Sequence, residues 1–109
     1  LPMLAPLCLL AGLSAPLVSA AEVRGEQVYQ DHCALCHEPG GGHAGTMMLT
    51  QARPAGLGVL RERGDLVPEY VAQVVRNGLR EMPPFRPSEI GLEDLAALTR
   101  YLAPGGAGR

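Results

Sequence analysis

The chain has no tryptophan, no lysine, a single phenylalanine and only three tyrosines among its 109 residues. Without lysine, all nine basic residues are arginines, set against eleven acidic ones for a formal net charge of −2. No basic stripe is present to follow a phosphate backbone, which argues against a nucleic-acid partner. The charge bears on solubility and encounter rate rather than on fold. The shortage of rings leaves a conventional core without bulk, and a domain of this size has little core to spare. Something else is expected to fill it.

Charge is also absent from the first twenty residues. Leu7, Leu9, Leu10, Ala11 and Leu13 form a short apolar stretch that ends in Val18, Ser19 and Ala20. This predicts an export signal over 1–20, cleaved after Ala20 or Ala21, and a periplasmic product. Pro2, Pro6, Pro16 and the shortness of the run argue against a spanning helix, which needs about 20 predominantly apolar residues, so no stable membrane insertion is expected after cleavage. Cys8 follows Leu7, a bulky residue where a lipid anchor would want a small one. One domain is expected over 21–103, and the glycine-rich end over 104–109 is expected to be a flexible tail.

Within the domain the pattern is helical. Residues 22–30 read as a short helix running directly into Cys33. A second helix is expected to begin near Pro68, with Asp65 just upstream, to place Val71, Val74 and Val75 on one face, and to stop at Asn77 and Gly78. A third spans about 91–103, where Leu92, Leu95, Ala96, Leu98, Thr99 and Leu102 follow the helical period and Glu93 and Asp94 suit the positive end. The glycine-rich stretch after His37 and the region up to Gly64 read as mixed loop with at most one helical turn. No strand is expected, so the fold class is all-α.

Cys33, Ala34, Leu35, Cys36 and His37 form the C-x-x-C-H pattern of covalent haem attachment. Two cysteines three apart on a helical turn share a face, so both can form thioethers with one porphyrin while the adjacent histidine reaches the iron. A zinc site would have to recruit His43 and lacks a second closely spaced pair. A thioredoxin-type pair lacks its βαβ context, and a plain disulfide would leave the core unfilled. One haem c per chain is therefore expected, and it would supply the missing bulk.

The far side of the iron is expected to be closed by Met82, in the run Arg80, Glu81, Met82, Pro83, Pro84, Phe85. The two prolines stiffen a non-helical loop and lower the cost of ordering the thioether. Met47 and Met48 are rival ligands, His43 would give a bis-histidine site, and Met82 as core filler is the bland alternative. Two tight axial ligands would leave no open position for a substrate.

These residues resemble class I c-type cytochromes. Gly25 and Tyr29 stand where that family places a glycine and an aromatic, and Leu98 and Tyr101 match the partner positions on the last helix. The resemblance implies three main helices, with N- and C-terminal helices crossed around one covalently bound haem. Residues 68–102 look like the Met-loop half of the family, particularly like the cytochrome subunits of p-cresol methylhydroxylase-like flavocytochromes. The family usually places a Gly-Pro after the pentapeptide, whose proline carbonyl orients the axial histidine; here Gly45 is followed by Thr46. Arg76 and Arg80 are candidates to pair with haem propionates.

The function expected is a single-electron carrier with Cys33, Cys36, His37 and Met82 binding the haem and no catalytic residue, fed by a redox partner protein such as a flavin-dependent dehydrogenase. A resident subunit of a flavin-dependent alkylphenol hydroxylase is the alternative. A haem peroxidase or gas sensor with an open sixth site is the rival from another class.

Overall fold

The computed structural model describes residues 1–103, so the tail expected over 104–109 lies outside the described residues. Residues 1–19 form no helix or strand and leave their leucines exposed. The helices then follow as α1 Ala20–His32, α2 Ala34–His37, α3 Ala44–Ala52, a single 3-10 turn at Leu60–Glu62, α4 Pro68–Asn77 and α5 Leu92–Leu102. Among the described residues there is no strand, only an isolated bridge between Leu79 and Met82.

The first helix starts two residues before the expected Glu22. Ser19 closes its end: the hydroxyl accepts from the Glu22 N–H at 3.2 Å and the Glu22 carboxylate accepts from the Ser19 N–H at 3.2 Å, a reciprocal capping box. Gly25, Val28 and Tyr29 form the buried stripe of α1. That stripe meets α5, the most extensive helix contact in the molecule. A Cβ on Gly25 would run into the Ala97 carbonyl oxygen and the Tyr101 Cβ, so only glycine lets the two helices approach this closely. The Tyr29 and Tyr101 rings lie 5.7 Å apart at 51°. At the edge of the crossing Arg24 donates two hydrogen bonds to Asp94, both at 2.6 Å.

The fourth helix has the expected ends. Pro68 opens it, and Gly78 closes it at φ 73°, a conformation costly for residues with a Cβ. Val67 precedes Pro68 without a side-chain cap, because Asp65 instead accepts from Arg63 at 2.9 and 2.6 Å. Val71 and Val75 are buried, Val74 only partly.

Two expectations are corrected. The stretch read as loop holds α3, nine residues long. It buries only Thr46, so it carries almost no apolar period to betray it. Leu92, assigned to the apolar face of the last helix, is 80% exposed. It opens α5 one turn ahead of Leu95, where burial begins, and the fully buried residue there is Ile90.

One apolar cluster joins these elements. It contains Val28, Tyr29, Cys33, Ala34, Leu66, Val71, Val75, Ile90, Leu95, Leu98, Tyr101 and Leu102, with Leu60, Ala72 and Phe85 packed against it. A motif cysteine is thus part of the core itself.

Candidate haem site

The end of α1 delivers the pentapeptide. Cys33 caps the C-terminus of α1 through its N–H to the Tyr29 carbonyl at 2.8 Å, and the next residue begins α2. Cys33 is 6% exposed, whereas Cys36 faces outward, and neither is in a disulfide. Burial, with the nearby Cys36 adding to it, pushes the Cys33 thiol up to about 12. A redox-active or metal-ligating cysteine needs its thiolate, so this environment disfavours both of those readings. A thioether has no proton to lose and suits a buried position.

His37 closes α2. Burial lowers its pKa, favouring the neutral imidazole that can bind a metal. Its Nδ1 is buried without a hydrogen-bond partner. Gly45 lies against the ring: a Cβ there would come within 2.7 Å of the Cys36 carbonyl oxygen, 2.8 Å of His37 Cε1 and 2.9 Å of His37 Nδ1. In place of the family's proline, Thr46 donates its hydroxyl to the Glu38 carbonyl at 2.8 Å. The Thr46 carbonyl is turned along α3, where it accepts from the Thr50 hydroxyl at 2.7 Å. With the departure at position 46, Thr46 bonds to Glu38 and Thr50 and supplies no acceptor to His37 Nδ1.

The Met82 loop is latched to α4. Leu79 and Met82 exchange backbone hydrogen bonds at 3.1 and 2.9 Å, the Phe85 N–H donates to the Val75 carbonyl at 2.7 Å, and Arg76 Nη1 donates to the Phe85 carbonyl at 3.2 Å. Arg80 takes φ 51° in the turn, and a Cβ on Gly78 would strike the Met82 carbonyl oxygen at 2.7 Å. Phe85 meets His32 edge-on, with centroids 5.8 Å apart. His32 is the residue before Cys33, so this contact carries the Met82 loop to the attachment segment. Met82 is partly buried.

The rival ligands lie elsewhere. Met47 and Met48 are each 45% exposed on α3. The ring of His43 is tied through Nδ1 to the Leu35 carbonyl at 2.8 Å, which folds the glycine-rich loop back onto the pentapeptide. Among the described residues no three His, Cys, Asp or Glu side chains gather into one cluster. Arg76 has one buried nitrogen, Nη2, without a partner, while Arg80 is exposed. A cavity of 270 Å³ lined by Arg53, Arg63, Asp65, Leu66, Val67 and Tyr70 touches the apolar cluster at Leu66 and includes none of the residues expected to bind haem.

Sequence reasoning missed a polar cluster around Glu38, the residue after His37. Arg61 Nη2 donates to Glu38 Oε2 at 2.8 Å and Nη1 to the Tyr101 hydroxyl at 3.3 Å, while the guanidinium sits 5.1 Å from the Tyr29 ring centroid. The hydrogen bond with Tyr101, then that with Glu38, hold Arg61 above its ordinary pKa. Burial, reinforced by the Glu38 carboxylate, pushes the Tyr29 phenol up. Nothing local could have revealed this cluster, which joins four elements far apart in the chain.

Two free cysteines on one turn, a partly buried imidazole beside them and a proline-stiffened methionine loop fit a covalent haem, and this site on an all-helical scaffold defines a c-type cytochrome domain. Residues 20–102 match the family described as cytochrome C oxidase, cbb3-type, subunit III, and the chain belongs to that family. It is 30% identical, over 79 residues, to the cytochrome c subunit of 4-cresol dehydrogenase [hydroxylating] from Pseudomonas putida. That alignment covers 72% of this chain and spans 58% of the relative's length. No solved structure matches it. As a c-type cytochrome domain it has haem c as its cofactor.

Proposed function

We propose that the chain is a periplasmic single-electron carrier in which Cys33 and Cys36 hold the haem by thioethers and His37 and Met82 are its axial ligands. When bound, the haem iron supplies a one-electron couple between ferrous and ferric states. The contact of Phe85 with His32 carries the reading, because it ties the Met82 loop to the residue before Cys33. The backbone latch around Leu79 and Met82 and the prolines that follow hold the backbone at Met82 in place, which lowers the cost of ordering its thioether. Gly45 keeps space for the His37 ring, and the apolar cluster excludes water from the buried Cys33 side.

The donor we propose is a dehydrogenase, flavin-dependent as the family resemblance implies, in keeping with a relative named as the cytochrome subunit of a hydroxylating 4-cresol dehydrogenase. Among the described residues no helix is long and apolar enough to cross a membrane, in keeping with a mature protein released into the periplasm. The ferric spectrum of the haem-loaded protein tests the ligand set. Wild type is expected to be low-spin with the weak red charge-transfer band of thioether ligation, and Met82→Ala to lose that band and bind cyanide. A Met82→Ala spectrum identical to wild type would assign the sixth position elsewhere, and a high-spin wild type would favour an open site.

A further inference from the structure

We propose that Arg61 keeps the Glu38 carboxylate, placed next to the axial histidine, from lowering the haem reduction potential, so that Arg61 is a positioning residue whose charge offsets that of Glu38 on the His37 side. This rests on the reading of His37 as an iron ligand.

Glu38 follows His37 in the chain, so its place relative to the imidazole is constrained by one peptide bond. It is then held at both ends. Thr46 fixes its carbonyl at 2.8 Å and Arg61 fixes its carboxylate at 2.8 Å. The Glu38 side chain is 22% exposed, and its second oxygen, Oε1, is buried without a hydrogen-bond partner. A carboxylate in that setting is poorly screened by solvent, and its charge acts over a longer distance than a surface charge would. Arg61 is in turn oriented by the Tyr101 hydroxyl and the face of Tyr29, both on the helix crossing that defines the fold. A guanidinium held by a hydroxyl, a ring face and a carboxylate has a restricted orientation, so the compensation of charge is built in rather than left to mobile ions.

The ferric state carries one more positive charge than the ferrous state. A carboxylate stripped of its partner therefore favours ferric iron, and an arginine stripped of its partner favours ferrous iron. With both present the two effects largely cancel.

Spectroelectrochemical titration of the haem-loaded full chain tests this. At the ambient potential where wild type is half reduced, Arg61→Met is expected to lower the ferrous-to-ferric ratio about tenfold, about 59 mV for a one-electron couple. Glu38→Gln should raise it by a similar factor, and the double variant should return to within about twofold of wild type. Arg61→Lys keeps the charge and should stay near the wild-type potential while its thermal midpoint falls. A role confined to packing predicts a different pattern, in which every variant loosens the site and shifts the same way. Glu38→Gln alters neither size nor backbone, so it decides the matter even if Arg61→Met fails to accumulate. Potentials that do not move in opposite directions, in variants that keep the two-ligand ferric spectrum, would overturn the proposal alone. A wild-type spectrum without that signature would overturn it together with the ligand reading.

Discussion

A single hydrogen atom on Gly45 leaves room for the His37 ring. Any larger side chain would meet the imidazole and the Cys36 carbonyl at under 3 Å, and the neighbour on one side is backbone, which cannot rotate away. Gly45→Ala is expected to lower unfolding stability by about 1–3 kcal/mol, as overpacking does, and to reduce the yield of haem-loaded protein. Gly41 supplies the control within the same loop, since a Cβ there meets nothing within 4 Å. Chemical denaturation of Gly41→Ala should fall within about 0.5 kcal/mol of wild type; equal losses in the two variants would show that loop entropy, not the contact with His37, governs both. The pentapeptide was legible at this scale because covalent spacing alone specifies it. Gly45 was legible only as a family position, and its contact with His37 depends on α3 folding back over the pentapeptide.

At the scale of elements, the crossing of α1 and α5 holds the two ends of the domain together. Gly25→Ala would press a methyl into the backbone of α5 and is expected to cost about 1–3 kcal/mol, read as a lower midpoint in urea. The Arg24–Asp94 clamp gives the same interface a pH dependence. The hydrogen bond from Arg24 is the main reason that the Asp94 carboxyl sits below its ordinary value of 3.8. A depressed carboxylate stabilises the fold fully above the unfolded pKa and loses that contribution as pH falls through the folded one. Arg24→Met has no clamp to lose, so between neutral pH and about pH 3 its denaturation midpoint should fall less than that of wild type. Parallel acid profiles would show that the pair contributes nothing at this exposed site. The ends of α4 and α5 could be read from Pro68, Gly78 and the acidic first turn, because caps are local chemistry. The start of α1 was also encoded, in Ser19 and Glu22, but the capping box is hidden against the small residues expected to mark cleavage. Helix α3 escaped because a helix that buries one threonine has no stripe.

For the whole molecule, the uncharged segment before α1 makes no packing contribution to the core. If it is the export signal proposed here, the protein recovered from the periplasm begins at Ala21 or Glu22, which intact-mass measurement would show directly. An N-terminus retaining Leu7 to Leu13 would mean an uncleaved segment. Cleavage also removes the Ser19 cap, at a cost of about 1 kcal/mol to the end of α1, so the mature helix should fray in its first turn while Gly25, Val28 and Tyr29 stay packed.

The pairing of Gly25 with the last helix came through the resemblance to class I c-type cytochromes; the amino-acid sequence by itself determined the attachment motif, the all-helical class and the helix ends marked by Pro68 and Gly78. Each rests on spacing or local backbone preference, which operate within a few residues. Only the tertiary structure decided what surrounds His37. Thr46 reaches Glu38 across 8 residues, Arg61 reaches Glu38 across 23, and Arg61 reaches Tyr101 across 40. An ion pair or a ring contact between distant residues leaves no periodic trace, because the partners become neighbours only after the chain has closed its loops and buried its core. The haem site is thus announced by five adjacent residues and shaped by others that the fold alone brings to it.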